Sequence, residues 1–178
     1  MKKLITLTIC AMLVPLAAIA GTEKGDFELG VSSSLQRMDT DDSGSTSLTM
    51  ALNGNVFLTD WFSVGGQFVG TSSAQDDMDG THTFFLMIRP DFYVAPNSPV
   101  IPFVGPHIGG VFYSSGDSSD VTVAGGVHGG AKFFLGENTS FNLELNETLY
   151  TYTVDYYYSS DTIVVSVFQF LAGFSYYF

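Results

Sequence analysis

Phe168-Gln169-Phe170-Leu171-Ala172-Gly173-Phe174-Ser175-Tyr176-Tyr177-Phe178 is the stretch on which the fold turns. Phe168, Phe170, Ala172, Phe174, Tyr176 and Phe178 fall on one side, with Gln169, Gly173 and Ser175 on the other. That period of two is the signature of a strand, because successive side chains leave a pleated backbone in opposite directions. Chain ends normally fray into water, so bulky apolar groups at the last positions need an apolar surrounding. A membrane supplies one.

The same alternation recurs over 26–38, 46–58, 62–73, 81–95, 101–114, 121–135 and 140–153 before the closing strand at 162–178. Strand one sets Phe27, Leu29, Val31 and Leu35 against Asp26, Glu28, Ser32, Ser34 and Gln36. Strand two sets Leu48, Met50, Leu52, Val56 and Leu58 against Ser47, Thr49, Asn53 and Asn55; strand six sets Val121, Val123, Val127, Ala131 and Phe133 against Thr122, His128 and Lys132. About a dozen residues, rising roughly 3.3 Å each and tilted about 40°, climb about 30 Å, enough to cross an outer membrane. The expected fold is all-β: an eight-stranded antiparallel up-and-down transmembrane β-barrel. A soluble barrel would also alternate, but it would need a charged exterior, and these polar faces are mostly Gly, Ser, Thr and Asn.

The N-terminal region reads as a leader. Lys2-Lys3, the apolar run Leu4 to Leu16 and Ala18-Ile19-Ala20 have the form of a secretory signal peptide, dividing the chain into a cleaved segment 1–20 and a barrel 21–178. The only cysteine, Cys10, lies inside that leader, so no disulfide framework and no cofactor is expected of the mature chain. Removing Lys2 and Lys3 takes the formal charge from −12 to −14 and leaves Lys24, Arg37, Arg89 and Lys132 as the cations. Nucleic acid is excluded as a partner, since binding phosphates needs clustered basic groups. No mature segment has the roughly 20 continuous apolar residues of a spanning helix.

The connections alternate in character. Thr59-Asp60-Trp61, Pro96 to Val100 and Gly136 to Thr139 are short turns for the periplasmic rim. Asp39 to Ser45, Ala74 to Gly80, Ser115 to Asp120 and Asp155 to Asp161 are acidic loops for the extracellular rim. Asp39, Asp41 and Asp42, with Asp76, Asp77 and Asp79, offer oxygen ligands to a divalent cation. The first group lacks the trailing bidentate Glu of a helical calcium loop, and solubility alone also explains the acidity.

The chain resembles the small Gram-negative outer-membrane β-barrel family, the group of OmpA transmembrane domains and OmpX- and OmpW-like proteins. The residues carrying this most specifically are Gly173, Tyr176 and Phe178, which resemble the family's C-terminal assembly signal. Val56-Phe57-Leu58-Thr59-Asp60-Trp61-Phe62-Ser63-Val64-Gly65 and Ile101-Pro102-Phe103-Val104-Gly105-Pro106-His107-Ile108-Gly109 are looser echoes. The resemblance implies outer-membrane location, reading of the closing strand by the barrel-assembly machinery, contact with lipid and lipopolysaccharide, and a monomeric state. It implies a structural or surface role, with a narrow channel for small or hydrophobic solutes, or an adhesin, as alternatives.

Glu28, Arg89, Asp91, Lys132 and Glu144 share the inward face and are the candidate lumen ion network. Buried charges must find partners, so these side chains are expected to fill the barrel; Lys132 and Glu144 are expected opposite one another. A gated polar conduit is the alternative. Some barrels of this family are lipid A hydrolases, but His128 is followed by Gly129-Gly130 and His107 by Ile108-Gly109. No Ser–His–acid arrangement can be drawn, His82 reads as a surface residue, and no enzyme is expected. Trp61 and Phe62 below, and Tyr113, Tyr150, Tyr152 and Tyr156 to Tyr158 above, read as interfacial girdles. Glu147 would face lipid, so a bulge over Asn146 to Thr148 is expected to turn it inward and Tyr150 and Tyr152 outward. Pro90 and Pro106 should break the ladder locally.

Overall fold

Backbone pairing turns the alternating segments into a cylinder. The computed structural model describes residues 22–39, 44–75, 78–115, 118–156 and 159–178; the expected leader lies outside them. The strands are β1 (Phe27–Asp39), β2 (Gly44–Thr59), β3 (Phe62–Gln75), β4 (Met78–Tyr93), β5 (Val100–Ser115), β6 (Ser118–Phe134), β7 (Thr139–Tyr156) and β8 (Ser159–Tyr177). Each pairs antiparallel with its sequence neighbours, and β1 with β8, so the sheet is a closed barrel. The outward rows of β1, β2, β6 and β8 fall as their alternation requires: Leu29, Leu52, Val123, Phe168 and Phe178 are exposed, while Gln169 and Ser175 are buried inside.

The strands run further at the extracellular end than their composition suggests. β2 already begins at Gly44, β3 continues to Gln75, β4 begins at Met78, β6 at Ser118, and β7 continues to Tyr156 opposite Ser159. The acidic stretches expected as loops are therefore largely strand ends. Once two neighbouring strands are extended and paired, each added residue gains ladder hydrogen bonds whatever its side chain carries, so pairing outlasts the apolar band.

Two seams are weaker than the rest. The β1–β8 ladder has six pairs, from Glu28↔Tyr177 to Ser33↔Ala172, where β7–β8 runs from Thr139↔Tyr176 to Tyr156↔Ser159. Gly173 sits in this short seam opposite Ser32, and a Cβ there would lie 2.1 Å from the Val31 carbonyl oxygen and 2.5 Å from Ser32 Cα. The second weak seam is β4–β5. Its register reaches Ile88↔Ile108, lapses over Arg89–Asp91 and Gly105–His107, and resumes at Phe92↔Val104. Pro90 and Pro106 stand in the middle of that lapse, so the break expected from the sequence is there, three residues long on each strand. Neither ring nitrogen carries a hydrogen to donate.

The expected bulge in β7 is absent. Registers with β6 and β8 run without a shift through Val127↔Glu147↔Phe168, and Glu147 is exposed on the outer face. Its register neighbours are apolar, and its side-chain hydrogen-bond contact among the described residues is the Ser166 hydroxyl at 3.4 Å. Tyr150 points inward instead, edge-on to Phe85 at 6.1 Å. An acidic group on the lipid face is unfavourable, less so than Lys or Arg. Glu147→Leu is therefore expected to stabilise the barrel by about 1–2 kcal/mol in lipid vesicles, read as a raised urea midpoint. A lowered midpoint would mean that Glu147 has a partner in the membrane.

Candidate functional site

Along each strand the inward residues come in the same order from the short-turn rim upward. β4 presents Tyr93, then Asp91 and Arg89, then Met87 and Phe85; β6 presents Phe134, then Lys132 and His128, then Ala124. Phe57, Tyr93, Ile101, Phe103, Phe134 and Tyr177 make a lower apolar cluster. Ala51, Val69, Phe85, Met87, Val111, Ala124 and Leu171, with Tyr150 against them, make an upper one. Between the two lie the charges.

All five predicted lumen residues meet there, but not in the predicted pairs. Lys132 lies opposite Asn142 in the β6–β7 ladder, and Glu144 opposite Gly130, so the expected Lys132–Glu144 pairing is wrong. Lys132 Nζ instead donates across the barrel to Glu28 Oε1 on β1. Arg89 on β4 reaches across to Glu144 on β7 with a two-pronged contact, Nη1 to Oε1 at 2.9 Å and Nη2 to Oε2 at 3.1 Å. Its Nε also donates to Asp91 Oδ1 at 3.3 Å. A guanidinium fork on a carboxylate is among the stronger and more directional ion pairs. Register alone could not show these partners, because side chains that cross a lumen meet residues from distant strands.

The network recruits residues that were not singled out as part of it. Asn55 Nδ2 donates to Glu28 Oε2 at 3.1 Å, and Tyr93 Oη to Asp91 Oδ2 at 3.2 Å. Gln67 Nε2 donates to Glu144 Oε1 at 3.2 Å. Lys132 Nζ sits 5.2 Å from the Phe103 ring centre, with the Tyr93 and Tyr177 rings close by, so the lower apolar cluster also takes up its charge. His128 Nε2 contacts Asp91 Oδ1 at 2.5 Å, His128 Nδ1 faces His107 Nδ1 at 3.3 Å, and His107 Nε2 meets Thr148 Oγ1 at 2.9 Å. The inward parity of His128 follows from the strand-six alternation; that of His107 was equally readable, but weighing it only as a catalytic group hid it. Thr148 is buried, 4% exposed. His82 is exposed near the outer end of β4, as expected.

The remaining candidates separate from this centre. Tyr176 and Phe178 lie on the outer face, with rings 4.9 Å apart, and Phe178 pairs with Phe27 through backbone hydrogen bonds. Trp61 stacks on Phe92 at the short-turn rim, where a girdle was expected. Asp41, Asp42, Asp76 and Asp77 lie outside the described residues, as do the side chains of Asp39 and Asp79. Among the described residues no group of three or more His, Cys, Asp or Glu is arranged to hold a metal ion.

Comparison with known proteins agrees with the architecture. Residues 6–178 match the model of the outer membrane protein β-barrel domain. No curated protein sequence matches the chain. Among solved structures it is similar to Neisserial surface protein A, with a TM-score of 0.63 at 11% identity over 85% of this chain and 98% of that one. It is also similar to the outer membrane protein OprG from Pseudomonas aeruginosa, with a TM-score of 0.58 at 13% identity over 90% and 99%. A third is the outer membrane protein AlkL, with a TM-score of 0.55 at 14% identity over 89% and 92%.

Proposed function

The chain belongs to the outer membrane protein β-barrel domain family, and for this member we propose a non-enzymatic, structural role in the outer membrane with a lumen closed by its own side chains. The observation carrying this reading is the pair of cross-lumen bridges, Arg89–Glu144 and Lys132–Glu28, whose cations are both nearly fully buried. Two such struts, wedged between apolar clusters, leave hydrated ions to break charge pairs before they can pass, and a broken buried pair costs several kcal/mol. The chain reaches the membrane behind a signal peptide cleaved after Ala20, is inserted through the assembly signal Gly173, Tyr176 and Phe178, and stands as a monomer among lipid and lipopolysaccharide. It takes no cofactor.

Planar-bilayer recording of the refolded protein tests this reading. At about neutral pH it is expected to give no unitary current steps, while unboiled protein still migrates differently from boiled protein on a detergent gel. Ohmic steps from protein with that heat-modifiable migration would overturn it.

A second reading, passage of small hydrophobic solutes, draws on a different observation. Above Ser33 and Ala172 the edges of β1 and β8 do not pair, and there β8 turns Ile163, Val165 and Val167 toward the lumen side. An apolar wall beside an unpaired edge suits an uncharged solute moving sideways into lipid. Such flux carries no ionic current, so uptake of an uncharged apolar dye into vesicles measures it directly.

A further inference from the structure

The lapse in the β4–β5 ladder and the two lumen histidines meet at one place. Arg89, Pro90 and Asp91 run beside Gly105, Pro106 and His107 without ladder pairing. What ties the two strands together there passes through β6: Asp91 to His128, then His128 to His107. His107 goes on to Thr148 of β7. A side-chain chain thus stands in for missing backbone bonds.

The geometry of its middle link limits how many protons it can hold. The imidazole centres are 5.5 Å apart and the rings are tilted by 23°, while the facing nitrogens are 3.3 Å apart. That centre-to-centre distance is close to the longest this nitrogen contact permits, so the two Nδ1 atoms point at each other along one line. A single hydrogen fits between them. With both rings neutral, Thr148 donates to His107 Nε2, His107 Nδ1–H donates to His128 Nδ1, and His128 Nε2–H donates to Asp91. One added proton is also accommodated: His128 then donates from both nitrogens, and His107 donates from Nε2 to Thr148. A second proton sets N–H against N–H.

Charge points the same way. The charged groups around the pair are Arg89 and Asp91 from β4, Lys132 from β6, Glu144 from β7 and Glu28 from β1. Tyr93 of β4 and Tyr177 of β8 are the other titratable groups nearby, and β2, β3 and β8 add the uncharged Asn55, Gln67 and Gln169. Three carboxylates against two cations leave one negative charge, which the first proton cancels. The second gives the enclosed cluster a net positive charge.

We propose that the His107–His128 pair is an acid-operated latch across the proline gap, holding through its first proton and releasing at the second, so that β5 parts from β4 at the gap, where the backbone ladder is missing, and the lumen enters a conducting state. This rests on the closed-lumen reading. It is tested on the refolded protein in planar bilayers stepped from about pH 7 to about pH 5 and below. Wild type is expected to be silent at the start, to give reversible current steps on acidification, and to fall silent again on return. His107→Phe, which keeps a flat ring and removes the second protonation, is expected to stay silent throughout, with heat-modifiable migration confirming that it folds. Steps at the starting pH would overturn the closed lumen itself. Silence at every pH would overturn the latch and leave the closed lumen standing, and equal acid currents in His107→Phe would overturn it too. Should that variant not fold, ¹⁵N NMR of wild-type imidazoles decides the matter: one hydrogen shared between the two Nδ1 atoms supports the latch, and two independent titrations overturn it.

Discussion

Replacing Arg89 with methionine is expected to remove about 3–5 kcal/mol of barrel stability, the cost of stripping one partner from a buried ion pair. Arg89 is 2% exposed and serves two carboxylates, Glu144 and Asp91. Methionine fills much of the volume but leaves both acids facing an enclosed space with one cation, Lys132, still committed to Glu28. Asp91 keeps His128, Tyr93 and Asn55; Glu144 keeps only Gln67 among the contacts described. Adding Glu144→Gln to Arg89→Met should therefore recover part of the loss, because the acid with fewest remaining partners is then neutral. Urea unfolding in lipid vesicles, followed by the fluorescence of Trp61, the chain's one tryptophan, measures both. A loss below about 1 kcal/mol, the size of a solvent-screened pair, would show that water reaches the network and that the lumen is not closed.

Gly173→Val is the other large effect, and it acts on closure rather than on charge. The added Cβ would fall 2.1 Å from a backbone oxygen of β1 and 2.5 Å from a backbone carbon, so no flexible side chain can yield to relieve the contact. The seam it would wedge apart has only six ladder pairs. Overpacking costs typically about 1–3 kcal/mol where side chains can adjust, and a clash with backbone exceeds that. The expected result is a collapse of the heat-modifiable fraction on refolding, while Phe174→Leu on the outer face leaves that fraction near wild type. A normal folded fraction for Gly173→Val would mean that β1 and β8 are further apart than described. The result also bears on why glycine occupies this place: the closing strand needs a residue without a side chain here.

How much of this could be read from the sequence follows from the range of each interaction. Alternation is local, so the inward and outward rows of β1, β2, β6 and β8 could be assigned residue by residue, and with them the barrel. The proline gap was legible too, because a missing N–H is a property of the residue itself. Partners across the lumen were not, since Arg89 finds Glu144 and Lys132 finds Glu28 by the stagger of the whole cylinder. Glu147 misled for a different reason. The expectation that an acid must turn inward treated the lipid penalty as larger than the cost of breaking two ladders, and the continuous registers show the opposite ranking. The strand ends were placed too early because acidic composition was taken as a sign of loop, although hydrogen-bonded pairing does not depend on side-chain charge.

The six-pair seam also has a meaning in time. Every other ladder joins strands adjacent in sequence, so each can form as a hairpin soon after its two arms exist. The β1–β8 ladder must bring Glu28 to Tyr177 across nearly the whole chain, with little hydrogen bonding to reward the search. Until it forms, the sheet has two bare edges in or near lipid, where unpaired backbone groups are costly. Closure is therefore expected as the last and slowest event in folding, a refolding phase whose rate Glu147→Leu, away from the β1–β8 seam, leaves unchanged. The short seam sets how long the nascent barrel remains an open sheet.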